Sequence, residues 1–299
     1  MEKTTAEKPH IILGSKWVML ILLTLIWGSS FILMKRGLVG FRPDQVAAIR
    51  MTVACLASLP FAFSKLKTVK WEHAKYMAVV GAVGSGIPAF LFATAQTRIS
   101  SYLAGMLNAL TPVFTLMLGT LFFHSKFTTR QTIGVLIGFV GAAGLVFIRS
   151  GGGINSDMFF AFLIVIATFC YGISVNTIKT FLSGQEALVI SSVSLLVVGI
   201  PYGIYLFTTD FLDRFSTVPG APMAFLSLAT LSIFGTALSS VLYFQLVKTS
   251  GPLFASAVTY LMPIIALGWG LLDGEVLHPL HLVALLAILG GVMLINRRS

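Results

Sequence analysis

Ser101, Ala104, Asn108, Thr111, Thr115 and Gly119 recur at three- and four-residue steps within SYLAGMLNALTPVFTLMLGTLFF, residues 101–123. In a helix that spacing draws them into one narrow polar stripe, with Leu, Met, Val and Phe on the other sides. The chemistry open to such a stripe is hydrogen bonding. The Asn108 amide and the Thr111 and Thr115 hydroxyls can hold a polar ligand from the wall of a cavity. They can equally bond neighbouring helices, a role worth about 0.6 kcal/mol each in a membrane. In lipid an unpaired amide and the carbonyl freed by Pro112 are both costly, so the stripe should face protein or water. A second run, ASAVTYLMPIIALGWGLL at 255–272, repeats the device at constant offset: Ala104 falls on Ala255, Asn108 on Thr259, Pro112 on Pro263 and Gly119 on Gly270. Pro112 and Pro263 are candidate hinges, because a mid-helix proline removes a hydrogen bond and bends the helix.

Arg50 is the one charge well inside an apolar run. It can recognise a substrate carboxylate, or it can snorkel to a membrane face and cap backbone carbonyls, the commoner fate near a helix end. Trp27, Tyr171, Tyr260 and Trp269 can line a pocket for an apolar or aromatic side chain, or for a cationic group. Trp17 and Trp71 fit the interfacial belt better. With Ser30 beside Trp27, the candidate substrate-binding set is Trp27, Ser30, Asn108, Thr111, Thr115, Tyr171, Thr259 and Tyr260. Gly81, Ser85, Pro88, Phe92 and Gln96 share a further stripe, whose later counterpart is Ser232, Thr236, Ser239 and Tyr243. Close helix packing is expected of Gly81, Gly84 and Ser85, and an interfacial place of Gln96. Gly134, Gly138 and Gly141 form a small-residue run suited to packing within the chain or to a dimer seam.

These residues are carried by a chain of 299 residues, 57% hydrophobic and 10% charged, too little polar surface for a soluble protein to cover itself. Between Lys16 and Lys35 lies an apolar run of about eighteen residues, which spans roughly 27 Å as a helix. A cleaved signal peptide is the competing reading, but Lys35-Arg36 stands where a small-residue cleavage site would be, so the segment is expected to be retained. Ten spans follow, at 17–36, 44–63, 74–96, 101–123, 130–148, 157–180, 186–207, 222–247, 252–272 and 279–296. The connections are short, the longest running from Thr208 to Ala221. Lys and Arg on the side of the N-terminus outnumber those on the other side by more than two to one, which places both termini in the cytoplasm.

The net charge of +10 is spread over span ends rather than gathered in a patch with interleaved aromatics, so nucleic acid is not an expected partner. Cys55 and Cys170 fall inside spans and read as packing residues. No metal-ligand spacing occurs, and no cofactor is expected. A membrane-embedded enzyme would need clustered His, Asp or Glu. His278 and His281 are three apart but read as a solvated helix start, His10 and His73 are isolated, and Asp273 and Glu275 sit at a helix end within reach of water.

The repeat extends beyond the opening pair of runs. Trp27-Gly28-Ser29-Ser30 with Lys35 reads against Tyr171-Gly172-Ile173-Ser174 with Lys179, and Pro60 and Pro201 stand in the next span of each half. Five spans per half is an odd number, so the halves enter the membrane from opposite faces. The expected fold is all-α and integral to the membrane: ten transmembrane helices as two inverted five-helix repeats around a central cavity. A tail at 1–16 precedes repeats at 17–150 and 151–299.

With Trp27-Gly28-Ser29-Ser30-Phe31, Lys35, Arg50, NALTPVFT from Asn108 to Thr115 and the Pro263 helix ending at Gly274-Glu275, nearly the whole chain resembles the drug/metabolite transporter superfamily in its EamA-like ten-helix branch. Where first repeats of that family often close the fourth helix with Gly-Glu, this chain has Phe123-His124. The resemblance implies a bacterial inner-membrane secondary transporter that exports amino acids or related small metabolites; a monomer and a homodimer are both compatible with the sequence. The alternatives are a proton-coupled drug exporter and a nucleotide-sugar or sugar-phosphate exchanger. No Asp, Glu or His lies near a span centre, which favours facilitated export, or coupling through an end group such as Glu275 or His124.

Overall fold

The computed structural model describes residues 15–65, 69–123, 128–149, 156–255 and 257–296. His10, His124 and most of the N-terminal tail lie outside them. The described residues form helices and no strand. In chain order these are α1 (Lys16–Gly37), α2 (Pro43–Lys65), α3 (Trp71–Gly81), α4 (Ile87–Ala95), α5 (Ser101–Asn108), α6 (Thr111–Phe123) and α7 (Thr129–Arg149). They continue as α8 (Ser156–Phe181), α9 (Ala187–Phe207), α10 (Phe211–Thr217), α11 (Ala221–Ser232), α12 (Ser239–Ala255), α13 (Ala257–Leu272) and α14 (Pro279–Asn296). Seven helical stretches are long and apolar enough to cross a membrane; the apolar parts of α7, α13 and α14 are shorter.

Two expected spans are single rods interrupted by a π turn. Ala82–Gly86 joins α3 to α4, and Ile233–Leu238 joins α11 to α12. The two π turns begin 151 positions apart, the offset that superposes Asn108 on Thr259. The proline runs, by contrast, differ from each other. Pro112 does not kink a continuous helix: the chain breaks before it, with Ala109 N and Leu110 N donating three residues back to Met106 O and Leu107 O at 3.1 Å. Pro112 then lies in the first turn of α6, where a missing N–H does no harm. Pro263 sits inside an uninterrupted α13. The expected loop from Thr208 to Ala221 contains the short helix α10, and α12 runs past the expected end at 247 to Ala255.

Interactions between helix ends sort them onto two faces. On the near face, where α1 begins, the Lys16 ammonium lies 5.3 Å from the Phe254 ring centroid, and Gln131 Nε2 donates to Ile295 O at 3.4 Å. On the far face, Lys35 pairs with Asp273 and Glu275, Arg42 with Asp210 at 3.0 Å, and the Tyr205 hydroxyl with Asp44 at 2.7 Å. Helix packing is matched between the halves. α1 packs on α13 as α8 packs on α6, while α2 packs on α9 and α7 on α14. Small residues make these approaches close. A Cβ on Gly134 would sit 2.5 Å from Gly291 O and one on Gly141 2.8 Å from Ala284 O, so these two serve packing against α14 within the chain, while Gly138 faces Val113 of α6. Cys55 is buried against Gly199, in a packing role as expected.

Candidate functional site

Where the helices converge they line a partly open cavity of about 180 Å³. Its lining comes from α1, α2, both π-turn rods, the α5–α6 junction, α8, α9 and α13. Trp27, Ser30, Phe31 and Met34 enter from α1; Gly84 and Ser85 enter from one π turn and Gly235 and Thr236 from the other. A π turn widens the helix and frees backbone groups, and such turns recur at functional sites. Ser191 and Thr259, close to the starts of α9 and α13, carry the lining toward the near face. Phe31, Phe92, Tyr171, Tyr243 and Phe244 give it an aromatic wall, and Ser174, Ser191, Ser194 and Ser240 scatter hydroxyls through it.

Seven of the nine candidate binding residues meet here, Trp27, Ser30, Arg50, Asn108, Thr111, Tyr171 and Thr259, and Gly84, Ser85, Phe92, Thr236 and Tyr243 of the further stripes join them, so Gly84 and Ser85 do more than pack helices. The Trp27 ring lines the cavity while its Nε1 donates to Gly235 O at 3.0 Å and Ser239 Oγ at 2.8 Å, tying α1 to the second π-turn rod. Thr111 Oγ1 donates to Asn108 O at 2.9 Å across the α5–α6 break. Asn108, 8% exposed, has its Oδ1 buried without a donor.

Arg50 does not snorkel. Its Nε donates to Thr236 Oγ1 at 3.1 Å, and the guanidinium lines the cavity about 11 Å along the axis from the start of α2. Among the described residues Arg50 makes no ion pair, and the lining contains no Asp or Glu.

Other expectations fall elsewhere. The Thr115 hydroxyl bonds Thr111 O at 2.8 Å on its own helix, and its carbonyl accepts from Asn176 Nδ2 at 2.8 Å. The Tyr260 hydroxyl donates to Val292 O at 3.0 Å, which turns it toward α14 and away from the cavity. Trp269 donates to Ser29 Oγ at 2.8 Å and takes no part in the lining; Pro112 and Pro263 also lie outside it. Gln96 is not interfacial: 6% exposed, it donates to Phe31 O at 2.9 Å. Sequence reasoning missed the α8 contribution beyond Tyr171, although Tyr171, Ser174, Val175 and Ile178 have helical one-face spacing that could have found it.

Beyond Met34, on the far face, charges link the end of α1 to the chain just after α13. Lys35 Nζ lies 2.7 Å from Asp273 Oδ2 and 2.7 Å from Glu275 Oε1. Glu275 is not open to water, since its side chain is 6% exposed. Its carboxylate accepts from Ser101 N at 2.9 Å and Tyr102 N at 3.3 Å, capping the start of α5. Burial opposes ionisation of Glu275, but Lys35 and those two N–H groups outweigh it and hold its pKa below the usual carboxylate value. His281 is no solvated helix start either: it is 4% exposed, with Nδ1 3.2 Å from the Tyr102 hydroxyl.

The sequence pattern of the EamA-like transporter family matches residues 15–147 and 158–297. The chain belongs to the EamA-like transporter family. Among its EamA-like relatives, the "Uncharacterized inner membrane transporter YedA" of Escherichia coli (strain K12) is 26% identical over 289 residues, covering 92% of this chain and 88% of that protein. The "Probable terminal-alkyne amino-acid exporter" of Streptantibioticus cattleyicolor is 28% identical over 289 residues, 95% of each chain. A solved crystal structure of a protein 13% identical covers 93% of this chain and 95% of its own, with a TM-score of 0.62, a likeness of fold. This EamA-like protein is a multi-pass membrane transporter, and family and relatives point to transport rather than catalysis.

Proposed function

We propose that this protein is a secondary transporter that exports small metabolites, amino acids or related compounds, across the inner membrane. The observation that carries the reading is the cavity, built at mid-bundle by residues of both halves and framed by two π turns in matching places. Ten crossings in two inverted repeats, divided near residue 150, account for the matched packing and for helix ends alternating between two faces. With the start of α1 on the cytoplasmic side, by the Lys/Arg bias, the cavity extends toward the cytoplasm and the Lys35–Glu275 cluster closes the outer face. Alternating access then consists of breaking that cluster while the near-face ends of α9 and α13 draw together.

A size of about 180 Å³ suits an amino acid better than the several-fold larger nucleotide sugars. Among the described residues the lining holds no carboxylate, which supports facilitated export over proton-coupled drug exchange. The EamA-like relative named as an amino-acid exporter supports the substrate class. The test is efflux from liposomes containing the purified protein and loaded with amino acids, other small metabolites and cationic dyes, with and without a pH gradient. Amino-acid efflux that persists without the gradient is expected. Dye movement alone, and only against an opposing proton gradient, would refute the reading.

A further inference from the structure

We infer that the cavity selects its cargo by a free carboxylate bound to the Arg50 guanidinium. The inference rests on the transporter reading above and narrows it to small organic acids and zwitterions, as against amines, amides and cationic drugs.

A guanidinium cannot shed its charge, and inside a membrane protein it needs a counter-ion or a full set of acceptors. Arg50 has one neutral acceptor, Thr236 Oγ1 at 3.1 Å from Nε, and no ion pair among the described residues. That single bond engages Nε and leaves the two terminal nitrogens without a partner among the described residues, on a side chain that lines the cavity. Two parallel N–H groups match the two oxygens of a carboxylate. Among the described residues no Lys and no second Arg lines the cavity, so these residues supply it one positive charge, enough for a carboxylate and too little for a phosphate dianion.

A second group points the same way. Asn108 Oδ1, buried in the lining without a donor, can accept from the ammonium of a zwitterion. The rings of Trp27, Tyr171 and Tyr243 can hold that ammonium or an apolar side chain. The arrangement thus has a cationic donor, a neutral acceptor and an aromatic wall, the complement of an α-amino acid.

The experiment pairs each common L-amino acid with its carboxamide, and adds inorganic phosphate. Thermal stabilisation of the purified full chain reads binding, and efflux from liposomes reads transport. For at least one acid, apparent affinity should exceed that of its amide on the order of a hundredfold, the usual loss when a buried charge pair loses one partner. Arg50→Gln should abolish that preference, while Arg50→Lys should keep part of it. Should Arg50→Gln fail to fold, Thr236→Val, which removes only the acceptor that engages Nε, should reduce the preference at least severalfold. Equal binding of acids and amides, a preference that survives Arg50→Gln, stabilisation by phosphate alone, or no stabilisation by any acid would overturn the inference. Transport of amides as readily as acids would sink it while the exporter reading stands. An Arg50-dependent acid preference without any transport would do the reverse.

Discussion

Glu275→Gln tests the far-face closure most directly. In the native chain the Glu275 carboxylate meets the Lys35 ammonium at 2.7 Å and the Ser101 and Tyr102 N–H groups at 2.9 and 3.3 Å, with 6% of its side chain exposed. Glutamine keeps the shape and one acceptor oxygen but removes the charge. Losing charge assistance at these bonds costs about 1–1.5 kcal/mol, and losing the anion at the start of α5 about 0.5–1 kcal/mol more. Complete breakage of a buried pair would cost about 3–5 kcal/mol, but Lys35 is 37% exposed and keeps Asp273, so solvent and that second partner reduce the loss. We expect about 2 kcal/mol, which changes the balance between closed and open far face about thirtyfold. The assay places a cysteine at Met34 in a Cys55→Ser, Cys170→Ser background and follows its labelling by an impermeant maleimide from the far face. Glu275→Gln should accelerate labelling about tenfold or more.

The same assay carries a pH signature. Because the folded pKa of Glu275 is lowered, its contribution is complete above the ordinary carboxylate pKa of about 4.3 and is lost as pH falls through the lower folded value. Native labelling, corrected for the pH dependence of the maleimide reaction, should therefore stay flat from neutrality to about pH 4.5 and rise below it, whereas Glu275→Gln should give a smaller rise from an already higher level. Equal labelling of the two proteins at neutral pH would refute the closure.

Other substitutions separate cavity from scaffold. Asn108→Ala should leave thermal stability within about 0.5 kcal/mol, because the amide has no donor to lose, yet reduce transport about tenfold. Asn176→Ala should do the opposite, costing about 1 kcal/mol by deleting the donor to Thr115 O and Gly172 O; melting and efflux measured on both variants check the pair. Gly291→Ala would bring a Cβ to 2.5 Å from Gly134 O and 2.7 Å from Gly138 N, both backbone atoms, so α7 and α14 must separate. A loss of about 2 kcal/mol or more in a detergent melt is expected there.

The constant offset between the runs 101–123 and 255–272, and the polar residues within them, were legible because both depend on residue type and spacing. The offset that matches Asn108 to Thr259 also matches the two π turns, although nothing in GSG or FGTA announces a π turn by itself. Rotation about a helix axis was harder to read. Thr259 and Tyr260 are neighbours about 100° apart, and only the position of α14 decides that one faces the cavity while the other bonds Val292. Distance from a helix end misleads for Gln96, which it makes interfacial, and for Glu275 and His281, which it makes solvated. Whether a helix end is wet depends on which other ends gather there, and contacts such as Lys35 with Glu275 join residues 240 positions apart. Arg50 was ambiguous for the same reason, since Thr236 lies 186 positions away.

Among the described residues none of α7 or α14 lines the cavity, although the two pack closely on one another through Gly134, Gly141 and Gly291. Leu136, Val140 and Leu286 on their outer sides are exposed to the surroundings of the bundle. These two helices act as a girdle. Relatives that carry different cargo can share them, while relatives that live in bilayers of different thickness need not, so variation along 129–149 and 279–296 would record the history of the host membrane rather than of the substrate.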